Sequence, residues 1–121
     1  MVSIDLSPAI VDVSGVLAGD RNLFQLTIRQ SGHPVDLTDY TITAQARTTS
    51  DAPVALDAVC TVTDAPMGRV DIRWPGAAVS TWLGTESVQK GVWDLQLDDD
   101  SGADPWTVVY GDFAAELDVT R

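Results

Sequence analysis

Apolar and polar residues alternate one by one through short stretches that recur along most of the chain. Phe24, Leu26 and Ile28 alternate with Gln25, Thr27 and Arg29. Val70, Ile72 and Trp74 alternate with Arg69, Asp71 and Arg73. Phe113, Ala115, Leu117 and Val119 alternate with Ala114, Glu116, Asp118 and Thr120. Successive side chains of a strand point to opposite faces, so a period of two describes a strand with one face in a core and one in water. The pattern predicts a small all-β protein.

Turn chemistry divides the strands. Gly19-Asp20, Ser31-Gly32-His33-Pro34, Asp64-Ala65-Pro66-Met67-Gly68 and Pro75-Gly76 punctuate the sequence, with Pro fixing one φ and Gly accepting a positive one. Further strands are expected at Val11 and Val13, at Thr41 to Arg47, at Val54 to Thr63, at Gly91 to Asp98 and on either side of Gly111. Ala77 to Leu83 reads as one short helix, with Val79, Trp82 and Leu83 on one side and Gly84 as its stop. About seven strands with turns every 8–12 residues favour an antiparallel, immunoglobulin-like β-sandwich, with a small closed barrel as the alternative. Residues 1–18 are expected to form an N-terminal arm or a first strand, with Ile4 and Leu6 in strand or extended conformation. Residues 19–121 form the sandwich.

The chain has 121 residues, the size of one domain. A chain of this length buries roughly 65% of the surface its unfolded form exposes, enough for one core. No apolar run approaches the ~20 residues of a transmembrane helix. The first twenty residues contain no Lys or Arg, carry Asp5 and Asp12 and are broken by Pro8, unlike a signal peptide. The formal net charge of −11 opposes binding to nucleic-acid phosphates and to anionic membranes. It suits a soluble surface, or an acidic face matched to a basic partner or a cation.

The residues of catalytic chemistry are sparse. His33 is the one histidine and lies in a Gly-Pro turn, so a Ser-His-Asp triad has little to build on. Cys60 is the one cysteine, in phase with Leu56, Ala58 and Val62. It can form no internal disulfide and reads as a small core residue. Asp36, Asp39 and Asp94 are isolated carboxylates, whereas a glycosidase needs two facing each other about 5–10 Å apart. Asp98, Asp99, Asp100 and Asp104, with Ser101 and Gly102, resemble a calcium loop in composition. Within it Asp98, Asp100 and Asp104 are the candidate ligands, but the EF-hand spacing and closing Glu are missing, and a solvated hairpin loop is the simpler reading. Trp74 and Trp93 fall on the apolar phase of their strands. Trp82, near the helix end, and Trp106, after Pro105, are candidate anchors for a partner, as are Ile4 and Leu6. No cofactor motif is present, and a non-enzymatic protein is expected.

Several pieces occur in an order that carries a resemblance. Gly19-Asp20 precedes the strand Phe24 to Ile28, and Gly32-His33-Pro34-Val35-Asp36-Leu37-Thr38-Asp39-Tyr40 leads into Thr41 to Arg47. Gly68 to Ile72 and Gly91 to Leu97 follow, and Tyr110-Gly111-Asp112-Phe113 leads to Asp118-Val119-Thr120-Arg121. This order resembles the small β-sandwich module of tailed-bacteriophage virion proteins. It is similar to the N-terminal domain of upper baseplate proteins and to short stand-alone head and tail proteins. The resemblance spans residues 19–121 and implies no enzymatic residues. It implies a virion structural protein, made in the host bacterial cytoplasm, that docks on capsid, tail or fibre proteins in repeated copies of a symmetric particle. Because the sequence ends at Arg121, directly after the sandwich, a stand-alone adaptor or decoration protein is expected, or a piece that binds a larger fibre by contact. The alternative function is a carbohydrate- or ligand-binding β-sandwich used in adhesion to a host surface.

Overall fold

The computed structural model describes residues 2–5, 9–30, 32–49, 52, 55–99 and 105–117, with the side chains of 2–5, 9–10 and 30 left aside. The elements run β1 (Val2–Asp5), β2 (Ala9–Ile10), β3 (Val13–Leu17), β4 (Leu23–Gln30), β5 (His33–Pro34), β6 (Thr41–Arg47), β7 (Leu56–Asp57), β8 (Val59–Asp64), β9 (Arg69–Arg73), α1 (Gly76–Leu83), β10 (Val88–Asp98) and β11 (Trp106–Glu116). They form two sheets. The first runs β1-β4-β9-β8, with β5 on β4, and the second runs β2-β11-β10-β6-β7, with β3 on β11. This is the all-β sandwich that the alternation predicts. The described residues form eleven strands where about seven were expected, and three of them are two-residue strands that leave little trace in a sequence pattern.

The core forms where the apolar phases of both sheets meet. Leu26 and Ile28 of β4 and Val70 and Ile72 of β9 face Ala44 and Ala46 of β6, Trp93, Leu95 and Leu97 of β10 and Phe113 and Ala115 of β11, all of them buried. An aromatic cluster fills the centre. The Trp74 ring lies 4.7 Å from Phe113 and 6.2 Å from Trp93, and Trp82 meets Phe113 edge-on at 5.4 Å. Such tilted and edge-to-face pairs set the positive rim of one ring against the negative face of another. Helix α1 closes one side by burying Val79, Trp82 and Leu83, and it stops where Gly84, at φ 63°, donates its N–H to the Ser80 carbonyl. The positive φ is one that glycine adopts without a Cβ clash.

Three features depart from the expected strand plan. First, the N-terminal strands join in parallel, β1 to β4 and both β2 and β3 to β11. Val13, Val16 and Ala18 are buried, so the end of this segment packs into the core. Second, the apolar run expected as one strand from Val54 to Thr63, of which Val54 lies outside the described residues, changes sheets after Asp57. Leu56–Asp57 pairs with β6, the Ala58 N–H still donates to Ala44, and Val59 onward pairs with β9. Cys60 and Val62 keep the core-facing phase, opposite Ile72 and Val70, but β8 is the sheet edge and Val62 stays 37% exposed. Third, β11 runs unbroken through Gly111. A register shift against Leu95 and Gln96 lets two successive residues, Val108 and Val109, both point inward.

Candidate docking surface

The polar half of the alternation builds the outer face of the β6–β10–β11 sheet. Strand register places Arg47, Val92 and Asp112 in one row and Gln45, Asp94 and Tyr110 in the next, with Gln96 between Thr43 and Thr107 beyond them. Gln45, Arg47, Val92, Asp94, Gln96, Tyr110 and Asp112, with Asp12 and Gly111, line a concavity of about 680 Å³. Its rim is pre-ordered. Arg47 donates to the Gln45 side-chain oxygen at 3.0 Å, Gln45 donates to Asp57 at 2.7 Å, and Gln96 donates to Thr107 at 3.4 Å. The Asp112 N–H donates to the Asp12 carboxylate at 3.0 Å, which fixes the wall on that side. A Cβ at Gly111 would overlap the Val11 carbonyl oxygen, so only glycine lets Val11–Asp12 lie against β11. That same carbonyl accepts the Trp93 indole N–H at 2.7 Å.

Partial burial pushes the Asp94 carboxyl above its ordinary value, and the nearby Arg47 guanidinium opposes the shift. A raised carboxyl pKa means that the charged form is disfavoured on folding. The sign follows: the stabilising contribution is complete below the unfolded-state pKa and is lost as pH rises through the folded value. Asp94→Asn is therefore expected to melt at or above the wild-type temperature at pH 7. A scan of Tm against pH checks this, and a clear loss of Tm at pH 7 would contradict it. Asp36 behaves in the opposite way. Its exposed carboxylate accepts the Thr38 hydroxyl and the Thr38 N–H, and both bonds hold its pKa below the ordinary value. These bonds shape the Pro34-to-Tyr40 turn, in which Leu37 is buried and the Tyr40 N–H donates to the Leu37 carbonyl.

The other sequence candidates separate. Trp106 is 49% exposed, its ring 5.9 Å from Tyr40, and remains available to a partner. Trp82 offers no exposed ring, because α1 turns it inward onto Phe113. Ile4 lies in β1 opposite Ile28; its side chain and the whole of Leu6 lie outside the described residues. Asp98 ends β10 opposite Thr41, while Asp100 and Asp104 lie outside the described residues. Among the described residues no group of three or more His, Cys, Asp or Glu is placed to hold a metal ion. His33 is exposed in the β4–β5 hairpin. Cys60 is half-buried, and burial pushes its thiol up to about 11. Because the thiolate is the reactive form, iodoacetamide at pH 8 is expected to label Cys60 slowly in the native protein and rapidly in urea. Equal rates would place the thiol in open solvent.

The groove residues Gln45, Arg47, Gln96, Tyr110, Asp112 and Asp12 were not singled out by the sequence reading. Their signal was the polar phase of the strands, which marks a solvated face without saying which strands adjoin.

The chain is thus a two-sheet β-sandwich with an open, largely polar concavity on the outside of one sheet. Among solved structures the chain is similar to the N-terminal domain of phage TP901-1 ORF48, at 11% identity and a TM-score of 0.49, over 97% of this chain and 95% of that one. No family model matches the chain, and no curated protein matches it.

Proposed function

We propose that this chain is a non-enzymatic structural protein of a tailed-bacteriophage virion, acting as a docking or adaptor module of the tail or baseplate or as a decoration protein of the capsid surface. The observation that carries the reading is the outer face of the β6–β10–β11 sheet. It is a broad, pre-ordered surface on which half-exposed Tyr110 and Val92 stand beside Asp94 and Asp112. Exposed aromatic and apolar groups within a polar surround are the composition of a protein interface. The segment from Gly32 to Tyr40, one of the pieces that carry the virion resemblance, supplies a buried Leu37 and a bonded turn. Its residues serve the scaffold, as expected of a module that works by shape. Mass spectrometry of particles of the encoding phage, purified to constant composition, is the test. The chain should be present in a fixed number of copies per particle, and its absence would overturn the reading.

One observation favours a second reading, a carbohydrate-binding face. Tyr110 is 45% exposed and stands beside Asp94, with Gln45 beyond Asp94 in the same row, an aromatic plane next to hydrogen-bonding groups. A glycan array read with wild type and Tyr110→Ala decides it. Binding that the substitution removes supports adhesion, and an array without binding sets it aside.

A further inference from the structure

We infer that the outer face of the β6–β10–β11 sheet docks onto the outer face of the β4–β9–β8 sheet of a second copy of the chain; the inference rests on the docking reading above and names the partner. The chain has seven Lys and Arg in all, and two of them, Arg69 and Arg73, stand on the outward phase of β9, on either side of the inward Val70 and Ile72. Arg73 is flanked across the strands by Leu23 and Val59, each 44% exposed. That row is an apolar patch with a guanidinium at its centre. The other sheet presents the complement. Val92 and Tyr110, 37% and 45% exposed, stand beside Asp94 and Asp112, with Glu116 further along the outward phase of β11.

Guanidinium forks pair with carboxylates and stack on aromatic rings, so the apolar-flanked Arg73 of one face matches the Tyr110 ring and the Asp94 and Asp112 carboxylates of the other. Asp71 between Arg69 and Arg73, Asp64 opposite Arg69, Arg47 beside Asp94 and exposed Lys90 between the Asp112 and Glu116 rows give both faces mixed charge, and such mixed charge fixes register. The net charge of −11 does not forbid the contact. At about 0.15 M salt the Debye length is roughly 8 Å, so repulsion between whole molecules is screened while touching pairs are much less affected. Because the two faces differ, the contact is head-to-tail and builds a ring or a filament rather than a closed dimer.

Sedimentation equilibrium at physiological salt tests this with charge-reversed variants. Wild type should self-associate. Arg69→Glu with Arg73→Glu, and separately Asp112→Lys with Glu116→Lys, should each weaken association at least about tenfold, a change of about 1.4 kcal/mol. Mixing the two variants should restore association, because every junction then joins an acidic face to a basic one. Tyr110→Ala, which removes a half-exposed ring, should weaken it without charge reversal. Circular dichroism and Tm confirm that each variant is folded. A monomeric wild type, a folded variant that associates like wild type, or a mixture that stays monomeric would overturn the inference. A monomeric chain that is nevertheless found in virions would overturn it while leaving the docking reading intact. A self-associating chain absent from virions would do the reverse.

Discussion

Removing residues 1–18 is expected to abolish cooperative folding. The deletion takes Val13, Val16 and Ala18 out of the core and strips β3 from β11. It also removes the Val11 carbonyl that accepts the Trp93 indole N–H. Burial of the two valines alone contributes about 3–6 kcal/mol, and a domain of this size is stable by only about 5–15 kcal/mol. The loss of β3 pairing and of the Trp93 bond adds to that, and the exposed edge of β11 becomes a site for aggregation. Urea unfolding followed by tryptophan fluorescence should show no sigmoidal transition for the truncated chain. A cooperative transition within a few tenths of a molar of the wild-type midpoint would return this segment to the role of a detachable arm.

Trp74→Ala is expected to cost about 3–5 kcal/mol, the range for deleting a large buried aromatic. Trp74 is fully buried and contacts both Phe113 and Trp93, so it joins β9 of one sheet to β10 and β11 of the other. The companion Trp74→Phe sharpens the claim. The indole N–H of Trp74 is buried and has no hydrogen-bond partner among the described residues, and an unsatisfied buried donor itself costs about 1–3 kcal/mol. Phenylalanine removes that donor and keeps much of the ring contact, so Trp74→Phe should lose far less than Trp74→Ala. Equal losses in the two variants would contradict the claim that packing of the ring against Phe113 and Trp93 carries the stability.

The inward phase of nearly every long strand was legible because core burial imposes it locally. Phe24, Leu26 and Ile28, Ile42, Ala44 and Ala46, and Trp93, Leu95 and Leu97 all stand on the side that alternation assigns. Helix α1 and its stop at Gly84 were legible for the same reason, since spacing and a glycine are local signals. Strand neighbours and directions were not, because a period of two fixes faces and says nothing about which edge a strand joins. The parallel addition of β1, β2 and β3 and the change of sheet at Ala58 are decisions of this kind. Asn22 shows the limit in one residue. Its side-chain oxygen accepts the Leu17 N–H, and its amide donates to the carbonyls of Leu17, Asp20 and Trp74. It sits at φ 48°, a left-handed conformation that asparagine tolerates better than most residues. The bond to Trp74 spans 52 positions, and no local pattern announces it. The candidate surface was hidden likewise. Asp94 and Tyr110 are neighbours only because β10 and β11 pair at that register.

The central claim is that the inside of this molecule holds it together while its outer faces do its work. Incorporation into particles of the Asp112→Lys, Glu116→Lys double variant, with Tm matched to wild type, tests that claim most directly. The account expects a folded protein that purified virions exclude. Virions carrying the variant at wild-type copy number would contradict it.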